Sequence, residues 1–250
     1  MFSFFTKKTY LVDLLEGFTD IHNHILPGID DGAKTVEDSK SLLKSFAEFG
    51  VKNFIATPHI MHNYHDNNPV TINTSLDHLK NELIRDGIDD INIEASAEHM
   101  IDDNFEAILS KKQVLPLGEH HLLVEMSYLQ PPINFDTAIE AVVRNRFFPV
   151  LAHPERYSFL HSRMRRYSEF KQQGIQFQLN MLSLSDYYGK EVSKMGIKLL
   201  EEGMIDFIGS DVHNMNQMTA LKKVTLSKKL VEFIEPIIDR TIYSFLIQRK

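Results

Sequence analysis

Short apolar runs alternate along this chain with longer segments of helical period. Phe18–His22, Asn53–Thr57, Ile91–Ala97, Leu122–Met126, Phe148–Ala152, Ile175–Leu179 and Ile205–Gly209 are short, apolar, often β-branched and bounded by turn residues, which predicts strands. Between them Val36–Phe49, Thr71–Arg85, Asn104–Leu109, Phe135–Arg146, Arg163–Gln173 and Glu191–Glu202 have the spacing of amphipathic helices. Thr35-Val-Glu-Asp38 reads as a capping box opening the first helix, and Gly50 sits just after its end. From Met215 onward the chain reads as mainly helical, with Pro236 expected to break or kink it.

Seven strand–helix units in strict alternation imply parallel strands joined by crossover helices. An open doubly wound sheet would satisfy that pattern, but seven units in 250 residues favour a barrel. No internal repeat, low-complexity segment or linker-like run divides the chain. The expectation is one α/β domain over residues 1–250, a TIM-like β/α barrel.

Composition narrows this picture. Hydrophobic residues at 43% and charged residues at 24% are ordinary for a soluble globular protein. The absence of cysteine excludes disulfides, thiolate metal sites and a Cys nucleophile, and it suits a reducing cytoplasm. A formal charge of −7 argues against general nucleic-acid binding, although carboxylates gathered around cations would make a loaded protein less acidic. No run approaches the roughly 18 apolar residues that span a bilayer. The apolar start, Met1–Lys8, is too short for a signal segment, and its lysines follow the apolar run instead of preceding it.

Histidines and acids fall at particular places in these units. His22-Asn-His24 closes the first strand, and residues two apart on a strand share a face. His59 follows the second strand, Glu98 the third and His153 the fifth, while Glu125 lies near the end of the fourth. Asp211-Val-His213 follows the seventh, again two apart. Eight potential ligands thus mark the C-terminal ends of six strands, the face on which barrel enzymes place their active sites. Each residue alone would be an ordinary cap or core residue; a ring of them with scarcely a Lys or Arg is not. Eight ligands exceed the needs of one ion, so two or three ions sharing carboxylates is the natural count. Mixed imidazole and carboxylate ligation suits Zn²⁺, Fe or Mn²⁺ more than Ca²⁺.

These motifs resemble those of the polymerase and histidinol phosphatase (PHP) superfamily, and in particular its bacterial capsule-type protein-tyrosine phosphatases. The stretches that carry the resemblance are Asp20-Ile-His-Asn-His-Ile-Leu-Pro-Gly-Ile-Asp-Asp-Gly32, Ala56-Thr-Pro-His59, Ala152-His-Pro-Glu-Arg-Tyr157 and Gly209-Ser-Asp-Val-His-Asn214. The resemblance implies a distorted seven-stranded β/α barrel and a multinuclear metal centre held by His22, His24, His59, Glu98, Glu125, His153, Asp211 and His213. It also implies Arg156 in the phosphate site and Asp31 close to substrate, in a cytoplasmic phosphatase acting on tyrosine-phosphorylated kinases of polysaccharide export. Members of this branch often carry a second Arg soon after the last motif; here that stretch reads Asn214-Met-Asn-Gln-Met218.

Other residues invite plainer readings. Asp31 could simply shape the turn Gly28–Gly32. His120 and His121 begin a strand and are expected at the opposite end of the barrel. His62 and His65 are expected in a solvated loop, and Arg163-Met-Arg-Arg166 on an exposed helix face that would also suit docking of an acidic phosphopeptide. The loops Met61–Asn68 and Leu129–Asn134 are expected to form the cleft rim, with Tyr64, Pro131 and Pro132 suited to an aromatic substrate and Asp66 their only carboxylate. Competing functions are a small-molecule phosphatase such as one for histidinol phosphate, a metal-dependent exonuclease, a metallo-amidohydrolase and a non-catalytic phosphoprotein-binding module. Acidity disfavours the exonuclease, Glu98 and Glu125 in place of a bridging Lys disfavour the amidohydrolase, and an intact ligand set disfavours the binding module.

Overall fold

The computed structural model describes residues 9–247, so the expectation placed on Met1–Lys8 lies outside the described residues. The strands are β1 (Thr9–Tyr10), β2 (Thr19–Asp20), β3 (Asn53–Ala56), β4 (His59–Ile60), β5 (Asn92–Ala95), β6 (Glu98–Met100), β7 (His121–Glu125), β8 (Phe148–Ala152), β9 (Gln176–Asn180), β10 (Phe207–Gly209) and β11 (Thr225–Leu226). The helices are α1 (Val36–Ala47), α2 (Pro69–Arg85), α3 (Phe105–Ser110), α4 (Phe135–Arg144), α5 (Met164–Gln172), α6 (Lys190–Glu201), α7 (Met215–Leu221) and α8 (Lys228–Ser244).

Local chemistry explains the helix starts. Thr35 accepts from the Asp38 N–H while the Asp38 carboxylate accepts from the Thr35 N–H, which is the expected box. Helix α2 starts before its apolar pattern does: Asn68 accepts from the N–H groups of Val70 and Thr71, and Pro69 occupies the first turn, where its missing N–H costs nothing. Helix α8 runs through Pro236, so the break that the sequence allowed there does not occur. An interior proline costs about 3 kcal/mol, whereas burying Ile234, Ile237 and Ile238 contributes more than about 4.5 kcal/mol.

Six parallel strands form one sheet in the order β10-β9-β8-β7-β6-β4, and three form another in the order β2-β3-β5. The two are continuous in register. Ala56 pairs with Ala95 and, beyond Thr57-Pro58, His59 pairs with Glu98 in the same alignment. Across the gap Ser96 N donates to Ala56 O and Glu98 N to Pro58 O, at 2.8 and 3.1 Å. Pro58 has no N–H to return, so the ladder is interrupted there without the chain changing course. At the other edge Asn23 bridges Val212 in parallel sense, with Asp211 N donating to His22 O and His24 N to Val212 O. The sheet is therefore strongly curled, with α helices outside it. The antiparallel pair β1–β11, which the sequence pattern had not suggested, ties residues 9–10 to residues 225–226.

Inside the curl, a small apolar core of Ile21, Ile55, Leu123, Val150 and Phe207 fills the N-terminal end, with Phe245 packed against it. His121 lies there, its ring 5.1 Å from that of Phe245, and His120 is exposed beside it, as expected. Helices pack on the outer face through the main core. The histidines and acids of the candidate site gather at the C-terminal end of the curl.

Candidate metal centre

All eight expected ligands converge at that end, together with Arg156 and Asp31. His22 Nε2 lies 3.2 Å from Glu98 Oε2 and 3.4 Å from Asp211 Oδ1. His24 Nε2 lies 3.3 Å from the same Asp211 oxygen, and His59 Nδ1 lies 2.9 Å from Glu125 Oε1 and 3.1 Å from Glu98 Oε2. His153 Nε2 is 2.9 Å from Glu98 Oε1. His213 Nε2 and His59 Nε2 each stand 3.4 Å from Asp31 Oδ1. Seven of the eight expected ligands, joined by Asp31, fall into three interlocking groups, with His153 outside them: His22, His24, Glu98 and Asp211; His59, Glu98 and Glu125; and His24, Asp31, His59 and His213. His24, His59 and Glu98 each belong to two of them.

The chemistry of these atoms fits divalent ions. His22 Nε2, His24 Nε2, His59 Nδ1, Glu98 Oε2 and Glu125 Oε1 are buried and make no aligned hydrogen bond, despite the short separations. They face common points instead of one another. Donor atoms about 2.1 Å from a shared ion lie roughly 3.0–3.4 Å apart, close to the 2.9–3.6 Å separations here.

The outer nitrogens are fixed. His22 Nδ1 donates to the Gln178 side-chain oxygen at 2.7 Å, His24 Nδ1 to Asp30 Oδ2 at 2.8 Å, and His213 Nδ1 to Asp211 O at 2.9 Å. Each bond sets the tautomer and turns Nε2 inward. Asp30 also accepts from the N–H groups of Gly32 and His59. Gly32 cannot be replaced by a larger residue, because a Cβ there would sit 2.1 Å from His24 O. His153 and Asp211 adopt φ of 35° and 51°, the left-handed region that favours glycine. Such backbone costs on the order of 1–3 kcal/mol per residue and is kept where it aims a functional group.

Burial pushes the imidazoles towards neutrality, but the carboxylates reverse this. His24 is carried up to about 10 by Asp30, and His59 well above its usual value by Glu125 and Glu98. Burial would raise Asp30, yet His24 holds it at about 2. Glu98 and Asp211 stay well below the usual carboxylate range despite burial, through His22 and its neighbours. Hydrogen bonding to His213 and His59 likewise holds Asp31 below that range. Without cations, the centre balances its carboxylates with protons on imidazole.

Arg156 is locked at the edge of the cluster. Its Nη1 donates to Asp211 Oδ2 at 2.7 Å, and its guanidinium lies over the rings of Tyr128 and Tyr188, 4.6 and 4.1 Å from their centroids. Asn180 donates to the same Asp211 oxygen at 2.7 Å. A cavity of about 700 Å³ opens over these groups, and Met61, Tyr64, Met100 and Leu129 line it. His62 and His65 line it too, on the loop expected at the rim; His62 is exposed, and the His65 ring stacks on His59 at 5.5 Å. The rim also gains Asp102, from a loop not expected there, with both oxygens engaged by the N–H groups of His62 and Asn104. Arg163–Arg166 stays away from the cavity: Arg165 and Arg166 pair with Glu169, and Arg166 also with Asp136. Sequence reasoning missed Asp30, Gln178, Asn180, Tyr128 and Tyr188. Of these only the amides had a signal, two apart on the sixth strand and so on one face.

A curled parallel sheet with clustered imidazoles and carboxylates at its C-terminal strand ends is the layout of a metal-dependent hydrolase. The chain belongs to the family "Capsular polysaccharide synthesis, CpsB/CapC", which matches residues 18–232. It is 29% identical over 197 residues to the tyrosine-protein phosphatase YwqE of Bacillus subtilis, spanning 78% of this chain and 77% of that one. It is 27% identical over 203 residues to the tyrosine-protein phosphatase CpsB of Streptococcus pneumoniae, spanning 79% and 83%. The fold matches a chain from the crystal structures of YwqE and CpsB, reported as metal-dependent tyrosine phosphatases, with a TM-score of 0.77 at 26% identity over 93% of this chain and 97% of that one.

Proposed function

We propose that this chain is a metal-dependent protein-tyrosine phosphatase of capsule or exopolysaccharide synthesis, acting in the cytoplasm on a tyrosine-phosphorylated protein such as the tail of a bacterial tyrosine kinase. The observation that carries this reading is the set of three interlocking ligand groups with Arg156 held beside them in an open cavity. Membership of the CpsB/CapC family and the names of its relatives support the substrate class. Among the described residues no helix is long and apolar enough to cross a membrane. The two sheets and the Asn23–Val212 bridge are read together as one distorted seven-stranded β/α barrel, forming a single phosphatase domain.

Two or three divalent ions, Mn²⁺, Fe or Zn²⁺, are assigned to His22, His24, His59, Glu98, Glu125, His153, Asp211 and His213. Bound there, they would supply positive charge to the phosphoryl group and acidify water for the attack. Arg156 meets the phosphoryl oxygens with the planar edge left free by Asp211, and the two tyrosine rings keep that edge in place. Asp31, the exposed member of the cluster, is held ionised by His213 and His59 in the metal-free centre, so it would relay a proton to the leaving oxygen only after taking one up from solvent or a neighbouring imidazole. That task is light, because a phenol leaves with a pKa near 10. The absence of a Cys nucleophile is no obstacle, since positioning and charge dominate phosphoryl transfer.

The test is purified Mn²⁺-loaded protein on a phosphotyrosine peptide, a phosphoserine peptide and histidinol phosphate. The phosphotyrosine peptide should lead histidinol phosphate in kcat/KM by at least roughly tenfold, about 1.4 kcal/mol of differential transition-state binding. Chelation should abolish the activity. The reverse preference would move the substrate to small phosphates, and full activity without metal would sink the mechanism.

A further inference from the structure

The cavity over the centre does not end at Leu129. It continues into a groove of about 670 Å³, and Ile101, Asp102, Ser127 and Leu129 line both. Pro131, Pro132 and Ile133 form the outer wall. Leu129 is 90% exposed and Ile133 fully so. Single exposed aliphatics are ordinary, but here two of them join two prolines in one strip leading out of the candidate active site. The strip is stiff: the prolines fix their own φ, and Asn134 ties its end to Asp102 O at 3.2 Å.

We infer that this groove docks the apolar flank of the substrate, the residues beside the phosphotyrosine of an extended peptide. The inference rests on the phosphatase reading of the adjoining cavity. A chain whose phosphotyrosine reaches the centre must leave over the rim, and an extended strand advances about 3.3 Å per residue. A bulky aliphatic side chain flanking the phosphotyrosine on that side would meet Leu129 and Ile133. Charge sets the second preference. Asp102 and Asp103 border the groove, the Asp103 carboxylate is 83% exposed, and its partner is His62. Arg165 and Arg166 are engaged elsewhere. The groove thus accepts an apolar or basic flank and repels an acidic one.

The experiment uses Mn²⁺-loaded full-length protein with phosphotyrosine peptides that differ only in Leu, Ser or Glu at the flanking positions, beside a simple aryl phosphate. Wild type should favour the Leu peptide over the Ser peptide roughly five- to tenfold in kcat/KM, the worth of partly burying one aliphatic side chain, with the Glu peptide poorest. Ile133→Ser and Ile133→Asp should erase the Leu preference while aryl phosphate turnover stays within about twofold, since Ile133 lies outside the cavity over the centre. Equal rates on Leu and Ser peptides in wild type would overturn the inference, as would equal losses on peptide and aryl phosphate. A wild-type dimer that Ile133→Asp dissociates, with peptide preference unchanged, would assign the strip to a second copy of the chain and overturn it too. No turnover of any aryl phosphate by loaded wild type would defeat the phosphatase reading itself.

Discussion

Replacing Arg156 by alanine tests how the site divides its labour. The guanidinium has two kinds of partner: Asp211 on one edge, and the faces of Tyr128 and Tyr188. Removing it deprives a bound phosphoryl group of a charge-assisted fork, where each such bond contributes about 1.5–3 kcal/mol. Taking about 3 kcal/mol for the pair, kcat/KM on a phosphotyrosine peptide should fall by roughly two orders of magnitude. Asp211 would not be stranded, because Asn180 still donates to Oδ2 and Oδ1 still faces His22 and His24. Metal content should therefore stay near wild type. Arg156→Lys should recover little, since an ammonium cannot stack flat on two rings or bind phosphate in a fork. The assays are steady-state kinetics, inhibition by inorganic phosphate and metal analysis on the same preparations. Loss of ions, unfolding, or unchanged phosphate inhibition in Arg156→Ala would refute the assignment and make the residue structural.

Three further outcomes follow from the geometry. Because His24 and His59 hold protons tightly in the metal-free centre, metal binding should release protons and tighten as pH rises towards 10; calorimetry in two buffers of different ionisation enthalpy reads the release, and a buffer-independent enthalpy would contradict it. Gly32→Ala should destabilise by at least about 2–3 kcal/mol and lower metal content, since its Cβ would overlap the His24 backbone; a melting temperature and metal load equal to wild type would show that the loop yields freely. Asp31→Asn should lose more activity on phosphotyrosine than on an aryl phosphate whose leaving group needs no proton, and equal losses would remove Asp31 from proton transfer.

The convergence of the candidate ligands was legible in the sequence because period-two spacing and strand ends are local features. His22 with His24 and Asp211 with His213 needed only the pleat to bring each pair to one face. The short apolar runs likewise marked where parallel strands begin. What could not be read was set by contacts between distant segments. The break between β3 and β4 depends on Pro58 facing Glu98. Of two adjacent carboxylates, Asp30 is buried beneath His24 and Asp31 is exposed, and nothing in Gly28-Ile-Asp-Asp-Gly32 says which. Gln178 and Asn180 resemble ordinary strand amides until His22 and Asp211 are opposite them. The tyrosines around Arg156 come from loops with no periodicity to place them. That α8 continues past Pro236 could not be read locally either, because it depends on a buried isoleucine stripe.

The Asn23–Val212 bridge carries a consequence for the protein's birth. It sits between His22 and His24 on one side and Asp211 and His213 on the other, so the contact that curls the sheet shut also brings the first and last motifs together. Ser210 donates to Asp20 at the same seam, 190 residues away in sequence. A ribosome must deliver almost the whole chain before either half meets its complement, and such long-range closure is slow. Nascent fragments therefore lack Asp211 and His213, and the group they complete with His22, His24 and Glu98 forms last. Catalytic competence arrives late in synthesis, together with the closing of the fold.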